Sequence, residues 1–440
     1  MTTVRILGSR AREQMPGTGI TLLAPGFRGA LTQVAAGAAP FAAHDLPFTE
    51  AAANAEVMLA AQLTLNIEAR PVEGIPALRS RSAVVAHPRV IVPRRNGVAY
   101  ALLQTDETGA SSFVLPASGD EEEAIFRLTI SARGATRRAL RVLMWPAHQV
   151  LSLGALAVAA RWERLRRPNQ LAQCGADRLW QPPDRAALAQ GPVLLLLHDT
   201  FSTPQATFAD WIDDASFTPV FRAFAGRCLA FSHPTLGSGL DENLHWLVAQ
   251  LAHLPGPFDI VAHGRGGLLA RAIAADGCLP VRRVCQVGTP NNGTPLALET
   301  NLMRFLDGHV AMLARTSAKV AQATLEGVLC MTRCIALGVS EPLPGLAAVA
   351  GESAALRAFK PFAQQWFTVS AQFSTPNGHG DVGERDEFSA APNDLVVPSE
   401  GCHHPGAPVS ESLRLGGADV HHHNYFANQH VRERLAAWLR

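Results

Sequence analysis

The chain has 440 residues, 48% of them hydrophobic and 17% charged, which is ample apolar material for two or three globular domains. Its 38 Lys and Arg nearly cancel 37 Asp and Glu, so no net field points to nucleic acid or an anionic membrane surface as a partner. Seven scattered cysteines without a C-x-x-C pair, and no apolar stretch in the first twenty residues, lead to the expectation of a reducing, cytoplasmic setting.

Residues 1–75 carry little pattern: Ile20–Leu23 reads as a short strand and the Ala-rich stretch Glu50–Gln62 as helix. From 76 to 148 the reading is a small β-rich module, sandwich or barrel. Its strand runs are Arg89–Pro93, Val98–Leu103, Ser112–Leu115, Ala124–Ser131 and Ala139–Trp145, parted by turn signals at Asn96-Gly97, Thr108-Gly109, Ser118-Gly119-Asp120 and Arg133-Gly134. Residues 149–190 are expected to be a connecting helix and linker. The apolar run Val150–Ala160 is too short to span a bilayer and leads into the charged stretch Arg161–Arg167. From 191 onwards apolar runs of the kind buried in a parallel sheet, beginning with Pro192–Leu197, alternate with helical patterns. That alternation predicts a doubly wound, mostly parallel α/β domain over 191–440. A helical segment at about 296–360 interrupts it, in the position of a cap.

The chemistry centres on Val261–Arg271. A buried strand, Phe258–Val261, runs into Ala262-His263-Gly264-Arg265-Gly266 and then a helix. This is the frame of a nucleophile elbow, G-x-S-x-G, with Gly264 where the serine stands. Five further segments follow the order of such enzymes: His198-Asp199-Thr200 after the first buried strand, Phe231–Leu236 with Asn243 in the helix ahead of the elbow, Gly288-Thr289-Pro290 after the strand following the elbow, Asn393-Asp394 before Val397-Pro398, and His421-His422-His423-Asn424 ahead of the last helix. Together they resemble the lipase-like α/β-hydrolases of bacteria over roughly residues 190–440. The resemblance implies Gly264 at the nucleophile position, Asp394 as triad acid and His422 as base, with His421 and His423 as alternatives. It implies oxyanion donors in the backbone N–H groups of Arg265 and Thr200. Asp199 stands where the family has glycine, and an ionised carboxylate there opposes an oxyanion.

A hydroxyl nucleophile needs the imidazole to take its proton and the carboxylate to orient that imidazole. Without one, the expectation is a pseudo-hydrolase that binds an acyl- or ester-type ligand or a protein partner. The alternative is a serine carboxylic-ester hydrolase whose nucleophile has been replaced in this chain. No cofactor, metal, nucleic acid or membrane span is expected. Cys330 and Cys334, four apart, read as buried thiols.

Overall fold

The computed structural model describes residues 2–35, 47–68, 87–117, 122–128, 136–147, 154–298, 301–335, 343–350, 365–374 and 391–440. The turn signals at 118–120 and 133–134, and the cap residues 336–342 and 351–360, lie outside the described residues. The chain forms two compact units. One is Met1–Gly154 with Val310–Arg315 and Leu329–Val339, the other Ala155–His309 with Thr316–Val328 and Ser340–Arg440.

In the first unit ten strands build two antiparallel sheets. β1 (Thr3–Ile6), β4 (Gly29–Val34), β5 (Met58–Ile67), β10 (Thr136–Pro146), β7 (Val98–Asp106) and β8 (Ser111–Val114) lie side by side in that order. β2 (Glu13–Gln14), β3 (Thr21–Leu23), β6 (Arg89–Pro93) and β9 (Glu123–Arg127) form the second sheet. One cluster of buried side chains draws Ile6, Leu31, Leu63, Leu65, Leu102, Leu140 and Val142 from the first sheet and Leu22, Val90, Val92 and Phe126 from the second. This is a sandwich sharing a core.

Two expectations are corrected here. Residues 1–75 are not a separate segment, because β1 to β5 interleave with the later strands in both sheets. Glu50–Gln62 is also not one helix: helix Phe48–Asn54 stops, Glu56 takes φ 56°, and the chain enters β5. Pairing on both edges of β5, to β4 and β10, outweighs the helix propensity of its alanines.

The second unit is an eight-stranded sheet. Its strands are β11 (Gln170–Cys174), β12 (Trp180–Gln181), β13 (Val193–Leu197), β14 (Cys228–Ser232), β15 (Phe258–His263), β16 (Val281–Val287), β17 (Gln365–Phe373) and β18 (Val409–Gly417), in the spatial order β12-β11-β14-β13-β15-β16-β17-β18. The last six of these are parallel, while β11 and β12 run antiparallel to their neighbours. Every residue of β13 and β15 is buried, the apolar ones as a helix-covered parallel sheet requires and Asp259 and His263 of β15 with hydrogen-bond partners. Phe208, Trp211, Phe217, Val431, Leu435 and Trp438 pack with Leu194, Leu196, Val261, Val287 and Val369 in one core. Helix Arg265–Asp276 crosses from β15 to β16, and helix Leu240–Leu251 from β14 to β15. In the cap region, helices Leu302–Val310 and Ala318–Ile335 are described.

Candidate active site

β15 ends at His263 and the next helix starts at Arg265, so the chain turns within one residue. Gly264 bears that turn at φ 51° and ψ −124°, a region that residues with a side chain enter only at a cost of about 1–3 kcal/mol. The helix can begin this close to the sheet because Gly266 lies against β13: a Cβ there would come 2.6 Å from the carbonyl oxygen of His198.

A Cβ built on Gly264 would overlap the carboxylate carbon and Oδ1 of Asp199, and would lie 2.8 Å from its Oδ2. The Asp199 side chain therefore fills the space a residue-264 side chain would occupy. Its Oδ1 accepts the Arg265 backbone N–H at 2.7 Å, and its Oδ2 lies 2.9 Å from His422 Nε2. His198 holds this loop in place: its ring accepts the His233 N–H through Nε2 at 3.2 Å, which leaves Nδ1 to donate to the Asp199 carbonyl at 2.8 Å. Burial pushes the His198 pKa down to about 3, so the ring is neutral in this role.

Asp394 follows Asn393 in a tight turn, where its Oδ1 accepts the N–H groups of Val396 and Val397 at 3.1 and 2.7 Å. Its Oδ2 lies 2.8 Å from His422 Nδ1 and accepts the Tyr425 hydroxyl at 2.8 Å. His422 thus stands between two carboxylates, with 1% of its surface exposed. Burial opposes its charge, but Asp394 and then Asp199 outweigh burial and push its pKa up to about 10. Burial likewise opposes the charge on both carboxylates, and the His422 imidazolium overcomes it, holding each below the usual carboxylate range. All three shifts run in the direction that favours an imidazolium between two carboxylates.

The three candidate histidines separate cleanly. His421 accepts the His423 N–H on Nδ1 at 3.4 Å, and His423 Nε2 lies 3.1 Å from His309 Nδ1, so only His422 meets Asp394. Arg265 supplies its expected N–H, but to a carboxylate rather than to an open hole. Thr200 is buried, and among the described hydrogen bonds it makes none with Gly264 or Arg265. Where the expectation has oxyanion donors in Arg265 and Thr200, the Arg265 N–H is taken by the carboxylate of the residue before Thr200.

Two contributors were not legible as site residues. His263, the last residue of β15, donates from Nε2 to the His422 carbonyl at 2.9 Å, while its buried Nδ1 has no hydrogen-bond partner among the described residues. His309 arrives from helix Leu302–Val310, its ring edge-on to Phe201 and Phe305 at 4.9 and 4.6 Å. Burial pushes the pKa of His263 down to about 4 and that of His309 to about 3. The elbow frame places His263, whereas a lone histidine in an apolar helix gives no signal. One donor atom from each of Asp199, His263 and His422 lies within 4.8 Å of the others, the only such group found among the described residues.

Residues 161–440 match the model of a domain of unknown function, DUF7379. The chain belongs to that family. A comparison with curated proteins finds no match. Among solved structures, the likenesses include a putative α/β hydrolase family protein from Desulfitobacterium hafniense, at 14% identity over 62% of this chain and 98% of that one, with a TM-score of 0.37. Another is the lipase BlEst2 from Bacillus licheniformis, at 17% identity over 59% and 92%, with a TM-score of 0.33. The phospholipase PlaB from Legionella pneumophila aligns at 12% identity and a TM-score of 0.33, over 48% of this chain and 45% of its own length. This chain thus spans less than half of the phospholipase. These overlaps are too loose to bear on chemistry, and for this member of the family the site rests on the contacts described above.

Proposed function

We propose that the second unit of this chain is a hydrolase-type domain that binds rather than cleaves, a pseudo-hydrolase for an acyl- or ester-type ligand. The supporting observation is the Asp199 carboxylate in the place of the missing nucleophile, engaged with both the His422 Nε2 and the Arg265 N–H. A serine mechanism needs a neutral imidazole facing a hydroxyl and an N–H facing a developing oxyanion. Here both groups are already committed to a fixed carboxylate. The alternative, an ester hydrolase with its serine replaced, accounts for Gly264 and leaves Asp199 unexplained.

The surroundings favour an acyl group over a polar ligand. Behind His309, which lies edge-on to His422 at 5.8 Å, the buried rings of Phe201 and Phe305 provide an apolar wall. The test is hydrolysis of p-nitrophenyl esters of graded chain length by the purified chain. Removing the nucleophile costs serine enzymes about 10⁶-fold in kcat, so the rate should equal that of a boiled control. Turnover above that control overturns the reading. Quenching of tryptophan fluorescence by a non-hydrolysable acyl analogue is the expected positive signal.

A further inference from the structure

The two histidines beside Asp199 are arranged as metal ligands are arranged. A ligating imidazole characteristically donates its second ring N–H to a carboxylate or a backbone carbonyl, which fixes the tautomer and aims the other nitrogen at the metal. His422 directs Nδ1 to the Asp394 carboxylate at 2.8 Å, and Asp394 is itself fixed by Tyr425 and two backbone N–H groups. His263 directs Nε2 to the His422 carbonyl at 2.9 Å. The nitrogens left over are His422 Nε2, next to Asp199 Oδ2, and His263 Nδ1, which is buried without a hydrogen-bond partner among the described residues. A buried acceptor left unpaired is destabilising, and a ligand would remove that cost.

Charge points the same way. Asp199 and Asp394 are 4% and 1% exposed, so two carboxylates share one buried site, and a divalent ion balances both. We propose that Asp199, His263 and His422 bind one divalent first-row transition-metal ion, with zinc as the reference case. Two imidazoles and a carboxylate are a donor set such ions accept. Tetrahedral donors about 2.0–2.1 Å from zinc sit roughly 3.3 Å apart. The 2.9 Å pair must therefore open slightly and the outer limit of 4.8 Å must close, movements that side-chain rotation supplies. The ion takes the place of the proton between His422 Nε2 and Asp199, and that proton leaves to solvent. This goes beyond the pseudo-hydrolase reading and against the expectation that no metal is held.

The experiment uses the full chain, dialysed against a chelator and titrated calorimetrically with zinc chloride. The expected result is one equivalent bound, with Asp199→Asn and His263→Asn each weakening binding by about 100-fold or more. His404→Ala, which removes an exposed imidazole, should leave binding unchanged. No saturable binding overturns the proposal. Binding that survives both site variants, or that disappears with His404→Ala, overturns it as well, by identifying an adventitious surface site. Zinc-edge X-ray absorption of the unmutated protein needs no variant to fold: imidazole scattering at about 2.0–2.1 Å is expected, and a shell at about 2.3 Å from one of the seven cysteines would refute the assignment. Ester turnover does not enter any of these readouts, so the two readings fail separately.

Discussion

At the scale of single residues, positions 199 and 264 exclude one another. Gly264→Ser alone should stay inactive towards p-nitrophenyl esters, since its Cβ would collide with the Asp199 carboxylate. Backbone strain adds about 1–3 kcal/mol, so the thermal midpoint of the variant should also fall. Combining Gly264→Ser with Asp199→Gly clears the space, frees the Arg265 N–H and returns His422 to a hydroxyl. The double variant should hydrolyse esters above background, and His422→Ala in that setting should abolish the activity. Full activity from Gly264→Ser with Asp199 intact would mean that the carboxylate swings away freely, contrary to its two hydrogen bonds to the Arg265 N–H and His422 Nε2.

At the scale of elements, buried charges hold loops and strands in register. Glu163, 1% exposed on helix Ala155–Arg166, accepts the backbone N–H groups of Leu236 and Gly237 at 2.8 and 2.7 Å, and also that of Thr235. Thr235 in turn accepts the N–H of Phe201 on its hydroxyl, so the clamp reaches the loop that carries Asp199. Glu163→Ala strands those buried donors, each costing about 1–3 kcal/mol, and should lower stability by more than about 3 kcal/mol in urea unfolding. Asp259 at the start of β15 plays a similar part, pairing with Arg283 at 2.7 Å while Arg283 also donates to the Leu439 carbonyl at 2.9 Å. Arg282 holds the same carboxylate through its Nε at 2.9 Å and a second guanidinium nitrogen, so Arg283→Met should cost only about 1–3 kcal/mol, chiefly through the lost bonds to the C-terminal carbonyls. Loss of less than 1 kcal/mol in either variant would show that water replaces the clamp.

The same scale explains what was legible beforehand. β13 and the Phe258–Val261 part of β15 stood out because strands covered on both faces are written as largely apolar runs. β18 did not: it is the edge strand, and its Ser-Glu-Ser-Leu-Arg-Leu stretch is largely exposed. β5 was hidden by its alanines, and its identity comes from partners distant in sequence. In the site, Gly264, Asp394 and the histidine run announced themselves by order and spacing. Asp199 was visible as a discord, but that its carboxylate lies over Gly264 is a matter of three-dimensional reach. His309 had no signal because the helix that delivers it is read from apolar periodicity alone.

At the scale of the whole molecule, the two units are discontinuous in sequence. Val310–Arg315 and Leu329–Val339 belong with the N-terminal sandwich, and there Arg333 donates to the Ala55 carbonyl and pairs with Glu56 at 3.3 Å. A cut at 154 therefore does not separate two self-sufficient parts. Residues 155–440 produced alone would expose Leu329, Cys330, Met331 and Cys334, all buried in the intact chain. That fragment should be markedly less soluble than the full chain, and it should bind a hydrophobic dye that the full chain does not. A monodisperse fragment with unchanged melting would show that these side chains find cover within the second unit.

The overlap between a residue-264 side chain and the Asp199 carboxylate also constrains history. A descent from a serine-bearing ancestor had to lose the side chain at 264 before, or together with, the gain of the acid at 199, since the reverse order passes through a collision. Under the pseudo-hydrolase proposal such a path would close behind itself, because a serine at 264 would then require two changes rather than one. Across DUF7379 sequences the two positions should therefore vary as a linked pair: serine at the elbow should occur with a small residue at the first position, and an acid there only with glycine at the elbow.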